Sequence, residues 1–143
     1  MNYTEAEYDE FVKSMETKYP KMFAQPYGGF AVDKGWWPIL QALCANIQHH
    51  IDWWNKNHEK YPVVEQVVVE QIKEKFGGLR FYYTGGDDQI SGMVRMAESW
   101  ADRHCEECGK PGRQREGGWI RTLCDEHEAK RQAQIKARFG DRD

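Results

Sequence analysis

Two short cysteine and histidine motifs near the C-terminus restrict the folds open to this chain. Cys105-Glu106-Glu107-Cys108 and Cys124-Asp125-Glu126-His127 each place two residues between their outer members, and fifteen residues separate the two motifs. A two-residue spacer lets neighbouring ligands surround one ion, and two such turns supply the four ligands of tetrahedral zinc. The spacing therefore predicts one zinc ion bound by Cys105, Cys108, Cys124 and His127.

The predicted ion is structural. A catalytic zinc usually keeps one coordination position open for water or substrate, whereas here four protein ligands complete the tetrahedron. We therefore expect one structural Zn²⁺ per chain and no enzymatic activity. His104 adjoins the first motif, and we expect it to flank the site because Cys105 already completes the pattern.

Length and charge limit the remaining possibilities. The 143 residues suit one domain with a small appended module, and 40% hydrophobic residues suffice for a core. Residues 1–102 carry ten Lys/Arg against fifteen Asp/Glu, while residues 103–143 carry ten against eight. This mild basicity of the C-terminal segment falls short of the basic stripe typical of a dedicated DNA-binding protein.

The cysteines indicate a reducing compartment. The acidic, polar N-terminus predicts no export signal, and no apolar run approaches the roughly 18 residues of a membrane span. We therefore expect a cytoplasmic protein whose cysteines bind metal instead of forming disulfides. Cys44 lies on an apolar helical seam, which predicts a buried core thiol.

Three helices are predicted, over residues 5–19, 37–56 and 88–103. Thr4 and Glu7 form a capping-box pattern before the first helix, and the Gly- and Pro-rich stretch 26–35 predicts a loop before the second. His49, His50 and Asp52 are expected on a solvated edge of the second helix. The buried face of the third helix is predicted to comprise Ile90, Met93, Val94, Ala97, Trp100 and Ala101.

A β-hairpin is predicted between the second and third helices, with strands over residues 64–73 and 79–84. β-Branched residues fill the first strand, the turn is Lys75-Phe76-Gly77-Gly78, and Leu79, Phe81 and Tyr83 share the core face of the second. The expected fold class is therefore α+β, with helices packed on a β-hairpin and an appended C-terminal zinc ribbon. The corresponding domains are residues 1–103 and residues 104–143, which end in a polar helix over 126–139.

A small anionic ligand such as a nucleotide is the first functional hypothesis. Aromatic rings flanked by cations suit such a ligand, and the residues expected to bind it are Lys75, Arg80, Tyr82, Trp119 and Arg121. Two simpler interpretations stay open: an ordinary amphipathic strand, and solvated charge on the ribbon cations Lys110, Arg113, Arg115 and Arg121. The carboxylates Glu65, Glu70, Glu74, Asp87 and Asp88 are better explained by capping and solvation than by a catalytic metal.

Several motifs together resemble a group of small zinc-ribbon proteins encoded by phages and prophages. The similarity covers about residues 60–128 and comprises Val69–Tyr83, Ile90–Val94, CEECGKPG and GGWIRTLCDEH. The group has no established activity to transfer. The resemblance implies that the chain works in the cytoplasm of an infected bacterium.

A second, partial similarity is to the zinc-stapled end of HNH endonucleases, carried by Thr122–Lys130 after an upstream CxxC. Those enzymes also need a metal-binding Asp-His pair between the zinc motifs. Between Cys108 and Cys124 this chain has no histidine, and Glu116 is the only acid. The similarity therefore extends to the staple and excludes the catalytic motif.

Three functions follow as hypotheses. The first is an anti-defence sponge that sequesters a nucleotide immune signal of the host, and such sponges often assemble as homo-oligomers. The second is an adaptor or inhibitor that docks on a host protein through exposed aromatic residues. The third is a nucleic-acid-binding regulator that uses the basic ribbon. A pocket lined by Arg80, Tyr82 and Trp119 would favour the first, an exposed aromatic patch the second, and a contiguous positive ribbon surface the third.

Overall fold

A computed structural model describes residues 1–140, and these residues form an α+β fold with two small sheets. The helices are α1 (Glu5–Lys18), α2 (Trp37–Lys56), α3 (Asp88–Ala101) and α4 (Asp125–Phe139). The strands are β1 (Phe30–Ala31), β2 (Val68–Lys75), β3 (Gly78–Thr84), β4 (Arg113–Arg115) and β5 (Arg121–Leu123). The predicted fold class is confirmed, and the last three residues of the predicted ribbon domain lie outside the described ones. None of the helices within residues 1–140 has the length and apolar character that a membrane crossing requires.

Local sequence signals explain where the helices begin. At α1, the Thr4 hydroxyl accepts a hydrogen bond from the Glu7 amide at 3.1 Å, and the Glu7 carboxylate accepts one from the Thr4 amide at 3.2 Å. These bonds satisfy amides that have no partner inside the helix. The Asp87 carboxylate caps α3 in the same way through the Ile90 amide, at 3.0 Å. Pro38 lies in the first turn of α2, where its missing N–H costs nothing.

The predicted hairpin is confirmed, but its first strand begins later than expected. Strands β2 and β3 pair antiparallel around the two-residue turn Phe76-Gly77. Val64, predicted to start the strand, is buried beside the end of α2. There the Asn55 side chain accepts from the Val64 amide at 2.8 Å and donates to its carbonyl at 3.0 Å. These two bonds satisfy the backbone of Val64, and the paired strand starts at Val68.

The stretch 26–35, predicted as a loop, contains the third strand of this sheet. Phe30 in β1 pairs in parallel with Ile72 in β2, and Lys34–Trp36 form a 3₁₀ turn before α2. Phe30, Val32 and Trp36 are all buried. The loop prediction was therefore wrong, because these apolar side chains enter the core and their backbone joins the edge of the sheet.

The main core lies between the sheet and helices α2 and α3. Its fully buried side chains include Leu40, Cys44, Ile47, Ile51, Ile72, Leu79 and Ile90, so the expectation of a core thiol at Cys44 is confirmed. Two other expectations were wrong. Trp100 is 52% exposed because it lies on the outer flank of α3, and His50 is buried with its Nε2 atom 2.8 Å from Asp87 Oδ2.

The ribbon, comprising β4, β5 and the two cysteine and histidine motifs, packs directly on this core. The Gly35 amide donates to the Glu106 carbonyl at 2.8 Å, and Trp36 Nε1 donates to the His104 carbonyl at 2.9 Å. On the other side, the Thr122 hydroxyl donates to the Gly77 carbonyl at 2.7 Å. The ribbon therefore holds both the start of α2 and the hairpin turn.

Candidate metal centre

Four side chains from two separate segments converge at one end of the ribbon. Cys105 and Cys108 lie in the turn that follows α3, and the Gly109 amide closes this turn on the Cys105 carbonyl at 2.9 Å. Gly109 has a φ of 78°, a left-handed conformation that glycine adopts without strain. Cys124 directly follows β5 and is the N-cap residue of α4. His127 therefore lies in the first turn of α4, beside Cys124.

The ligand atoms have the spacing of a tetrahedral metal site. All four lie within 4.8 Å of one another. The Sγ atoms of Cys108 and Cys124 are 3.8 Å apart, and His127 Nδ1 lies 3.5 Å from Cys105 Sγ and 3.2 Å from Cys124 Sγ. Four ligands at zinc-ligand bond lengths of about 2.1–2.3 Å would be separated by about 3.5–3.8 Å. The predicted ligand set therefore comes together in a geometry compatible with a metal ion.

The two buried thiols of the cluster differ electrostatically. Burial raises the pKa of Cys105 to about 11. Burial also opposes ionisation of Cys124, but the hydrogen bonds of its sulfur with the His127 amide, the His127 ring and the other two thiols together outweigh burial and lower the pKa of Cys124 to about 7. This amide belongs to the positive end of the α4 dipole, which favours a thiolate. Cys124 is thus suited to be a thiolate ligand at neutral pH.

Glu106, inside the first motif, connects this motif to strand β5. The sequence did not predict this role. It is 4% exposed, and its carboxylate accepts a hydrogen bond from the Thr122 amide at 2.7 Å. Burial, with the nearby Glu74 and Asp33 carboxylates contributing, raises the pKa of Glu106 to about 7. A spacer residue in a CxxC motif is normally exposed, so only the tertiary structure identifies this role.

His104 lies outside the metal-ligand cluster, as expected. Its Nδ1 atom is 2.8 Å from the Trp100 carbonyl, and its ring lies against the Trp100 ring with centroids 4.8 Å apart. His104 therefore belongs to the end of α3, while the four residues of the two motifs form the cluster.

The residues predicted to bind an anion do not share one cavity. Trp119, 72% exposed, and Arg121 line an open cleft of about 1160 Å³ between the ribbon, the N-terminal segment and α4. Tyr82 lines a separate cavity of about 330 Å³ over β2 and β3. Arg80 donates to the Leu79 carbonyl at 3.3 Å, and the Lys75 ammonium lies 5.8 Å from the Phe76 ring. The structure therefore lacks, within the described residues, the single pocket of Arg80, Tyr82 and Trp119 that the sponge hypothesis predicted.

The ribbon cations are partly neutralised within the fold. Arg115 donates to the Asp125 carboxylate at 2.7 Å and to the Leu123 carbonyl at 3.1 Å. Arg121 lies 3.9 Å from the buried Glu106 carboxylate. Lys110 and Arg113 are exposed. Two of the four predicted phosphate-contacting cations therefore have acidic partners, which weakens the nucleic-acid hypothesis.

Comparison with known proteins supplies no further constraint. No family model, curated protein or solved structure matches this chain.

Proposed function

We propose that Cys105, Cys108, Cys124 and His127 bind one structural Zn²⁺ ion. Three thiol ligands and one imidazole form a donor set typical of zinc, and the 3.2–3.8 Å separations fit a tetrahedron. The ion, when bound, supplies folding free energy to a ribbon whose own buried apolar cluster contains only Cys105, Leu123 and Cys124 among the described residues.

Elemental analysis of protein purified without chelator tests this role. We expect one zinc per chain, which Cys124→Ser and His127→Ala should reduce strongly. Cys44→Ala is the matched control, because Cys44 is a core thiol far from the cluster in sequence, and it should leave the zinc content unchanged. A folded wild-type chain that carries no metal would contradict the proposal.

We further propose that the chain is a non-enzymatic adaptor or inhibitor that binds a partner protein in the cleft beside Trp119. The exposed indole of Trp119 is the observation that carries this proposal, because tryptophan is among the residues that most often dominate binding energy at protein interfaces. Arg131 in α4 donates to the carbonyls of Gly117 and Trp119 and so fixes the loop that presents the ring. Such pre-organisation reduces the entropy lost on binding.

The charge of the cleft indicates the kind of partner segment. Its lining contains four carboxylates and four cations, which are Asp33, Glu74, Glu106, Glu107, Arg121, Arg131, Lys136 and Arg138. Arg121 lies near Glu106, and Arg131 donates to loop carbonyls. The formal charges of the lining therefore balance, and a partner segment that carries charges of both signs would fit it, with a cation over the Trp119 ring. The phage resemblance supports a bacterial host protein as the partner and the host cytoplasm as the location.

Binding by a purified partner tests the adaptor role. A protein captured from bacterial lysate would be purified and titrated against wild type, Trp119→Ala and the control Tyr82→Ala, which removes another exposed aromatic. We expect about tenfold or greater weakening with Trp119→Ala alone, and weaker binding as salt rises. Equal affinity for all three proteins would overturn the assignment of this cleft.

Capture of a nucleotide remains the second candidate, favoured by the presence of both Trp119 and Arg121 in the cleft. Calorimetric titration with linear and cyclic nucleotides measures it directly. Saturable binding that Arg121→Ala abolishes would favour the sponge over the adaptor. The four carboxylates of the cleft offset its four cations, so we expect no such binding.

A further inference from the structure

The outer face of helices α2 and α3 carries an apolar groove that the proposed partner binding does not use. It has a volume of about 390 Å³ and shares no lining residue with the Trp119 cleft. Its lining residues are Pro38, Ile39, Ala42, Leu43, Asn46, Met93, Met96, Ala97 and Trp100. Met96 and Trp100 are 67% and 52% exposed, although methionine and tryptophan are typical of interface cores. This face therefore has the composition of a buried contact surface.

Gly92 provides a second, independent observation at the edge of this groove. It lies inside α3, four residues before Met96, and a glycine at such a position costs about 1 kcal/mol relative to alanine. Apart from Gly92 itself, its two chain neighbours and the backbone of its own helix, no heavy atom of residues 1–140 lies within 4 Å of the position that a Cβ atom would occupy. The fold of one chain therefore does not require this glycine. A bare helix flank does, however, allow the backbone of another helix to approach closely.

Charge at the two ends of α3 indicates what that other helix is. Asp88 is exposed in the first turn, and Arg103 is exposed just after the last turn. Two α3 helices side by side in antiparallel orientation would place each Asp88 near the Arg103 of the other copy. Their macrodipoles would also oppose each other, which is favourable. The ends of α3, which flank the groove, are thus complementary in charge to those of an antiparallel copy, as a two-fold contact requires.

We propose that the α2–α3 face is the contact between two copies of this chain, with their α3 helices antiparallel. Because α3 has 14 residues, the face measures about 20 Å by 20 Å, which is smaller than the roughly 800 Å² per partner of a stable complex. The dimer should accordingly be weak and should form between micromolar and sub-millimolar concentrations.

Sedimentation velocity of the zinc-loaded full chain over that range tests the proposal. We expect a concentration-dependent dimer in the wild type. Met96→Glu and Trp100→Glu should each weaken self-association by about tenfold or more, because each buries a charge in the contact. Phe76→Glu is the matched control, since it places the same charge on a 65% exposed aromatic outside the face.

A charge exchange tests the antiparallel arrangement. Asp88→Arg and Arg103→Asp should each weaken the dimer, and the two together should restore it. A wild type that stays monomeric throughout the concentration range, or a dimer indifferent to both Met96→Glu and Trp100→Glu, would overturn the proposal. Zinc content and circular dichroism are measured on every variant, so loss of the metal is distinguished from loss of the contact.

Discussion

At the residue scale, Asp87 links two helices through its two carboxylate oxygens. Oδ1 accepts from the Ile90 amide at 3.0 Å and caps α3, while Oδ2 lies 2.8 Å from Nε2 of the buried His50 in α2. Partial burial opposes ionisation of Asp87, but the hydrogen bonds from His50 and Ile90 outweigh it and lower the pKa of Asp87 below its ordinary value. The ionised carboxylate therefore stabilises the packing of α2 on α3.

This arrangement predicts that the free energy of unfolding decreases as the pH falls. Because the pKa of Asp87 is lower in the folded chain than in the unfolded chain, its contribution is complete above the unfolded value of about 4. It is lost as the pH falls through the folded value. Asp87→Asn should lower the free energy of unfolding by about 1 kcal/mol at pH 6, a figure reduced because the Asp87 side chain is 35% exposed.

Urea denaturation of wild type and Asp87→Asn at a series of pH values measures this difference. The difference should shrink as the pH falls below about 4, and metal loss in acid affects both proteins alike. Asp9→Asn, at an exposed position of α1, should show no such difference. A gap between wild type and Asp87→Asn that stayed constant down to low pH would show that the charge of Asp87 is not involved.

The sequence predicted part of this residue pair. The sequence predicts that Asp87 or Asp88 caps α3, and the structure shows that Asp87 does. His50 was placed on a solvated edge, although it adjoins Ile51 and follows Ile47 by three residues, which is the spacing of the buried face. Polarity misled the prediction, since a buried histidine needs a hydrogen-bonding partner and this partner is 37 residues away in the chain.

At the element scale, the β2–β3 turn contains a residue poorly suited to its conformation. Phe76 has a φ of 53° and Gly77 a φ of 76°, which corresponds to the type I′ turn that suits the twist of a hairpin. Asparagine and glycine favour this turn, whereas a bulky side chain at positive φ is strained. The Phe76 side chain is 65% exposed, so packing within the chain does not compensate for the strain.

Phe76→Asn should therefore stabilise the protein by about 0.5–1 kcal/mol. Thermal and chemical denaturation of the zinc-loaded protein measure the change. Phe76→Ala is the control, because it removes the same ring without supplying a residue that tolerates the left-handed region. Equal effects of the two substitutions would mean that the ring, and not the backbone conformation, determines the outcome.

Elements built from local patterns were predicted well, and those that depend on distant partners were not. The capping box and the apolar periodicity located α1, α2 and α3 to within two residues at every end. Strand β1 was missed because two residues carry no periodicity, and its pairing with Ile72 joins segments far apart in the chain. Trp100 was predicted to be buried because it shares the helical spacing of the buried residues of α3. Helical spacing does not show how much of that helix face the neighbouring elements cover, and they leave Trp100 exposed.

At the scale of the whole molecule, the ribbon connects the cysteine and histidine cluster to the main core. The ribbon holds Gly35 and Trp36 at the start of α2 and Gly77 in the hairpin turn. If zinc organises the ribbon, its removal should therefore weaken the main core as well as the ligand turns. The sequence predicted that the four cysteine and histidine residues come together, because their spacing is local, whereas this docking is visible only in the structure.

Chelation tests the coupling. Removing zinc with a strong chelator should lower the melting temperature monitored by near-ultraviolet circular dichroism, which reports the buried Trp36 environment. The three ligand thiols should become reactive, and Cys44 should stay protected while the core is folded, because burial raises its pKa to about 12. An unchanged melting transition after complete metal removal would show that the core is independent of the ribbon.

The contact at Gly35 has a consequence for how such a chain can evolve. A Cβ atom there would lie 2.2 Å from the Cys105 carbonyl oxygen, so any larger residue would force the first ligand turn away from α2. The ribbon consequently cannot be replaced by an unrelated module without changes in the rest of the chain. A lineage that exchanged it for another module would have to alter the loop before α2 at the same time.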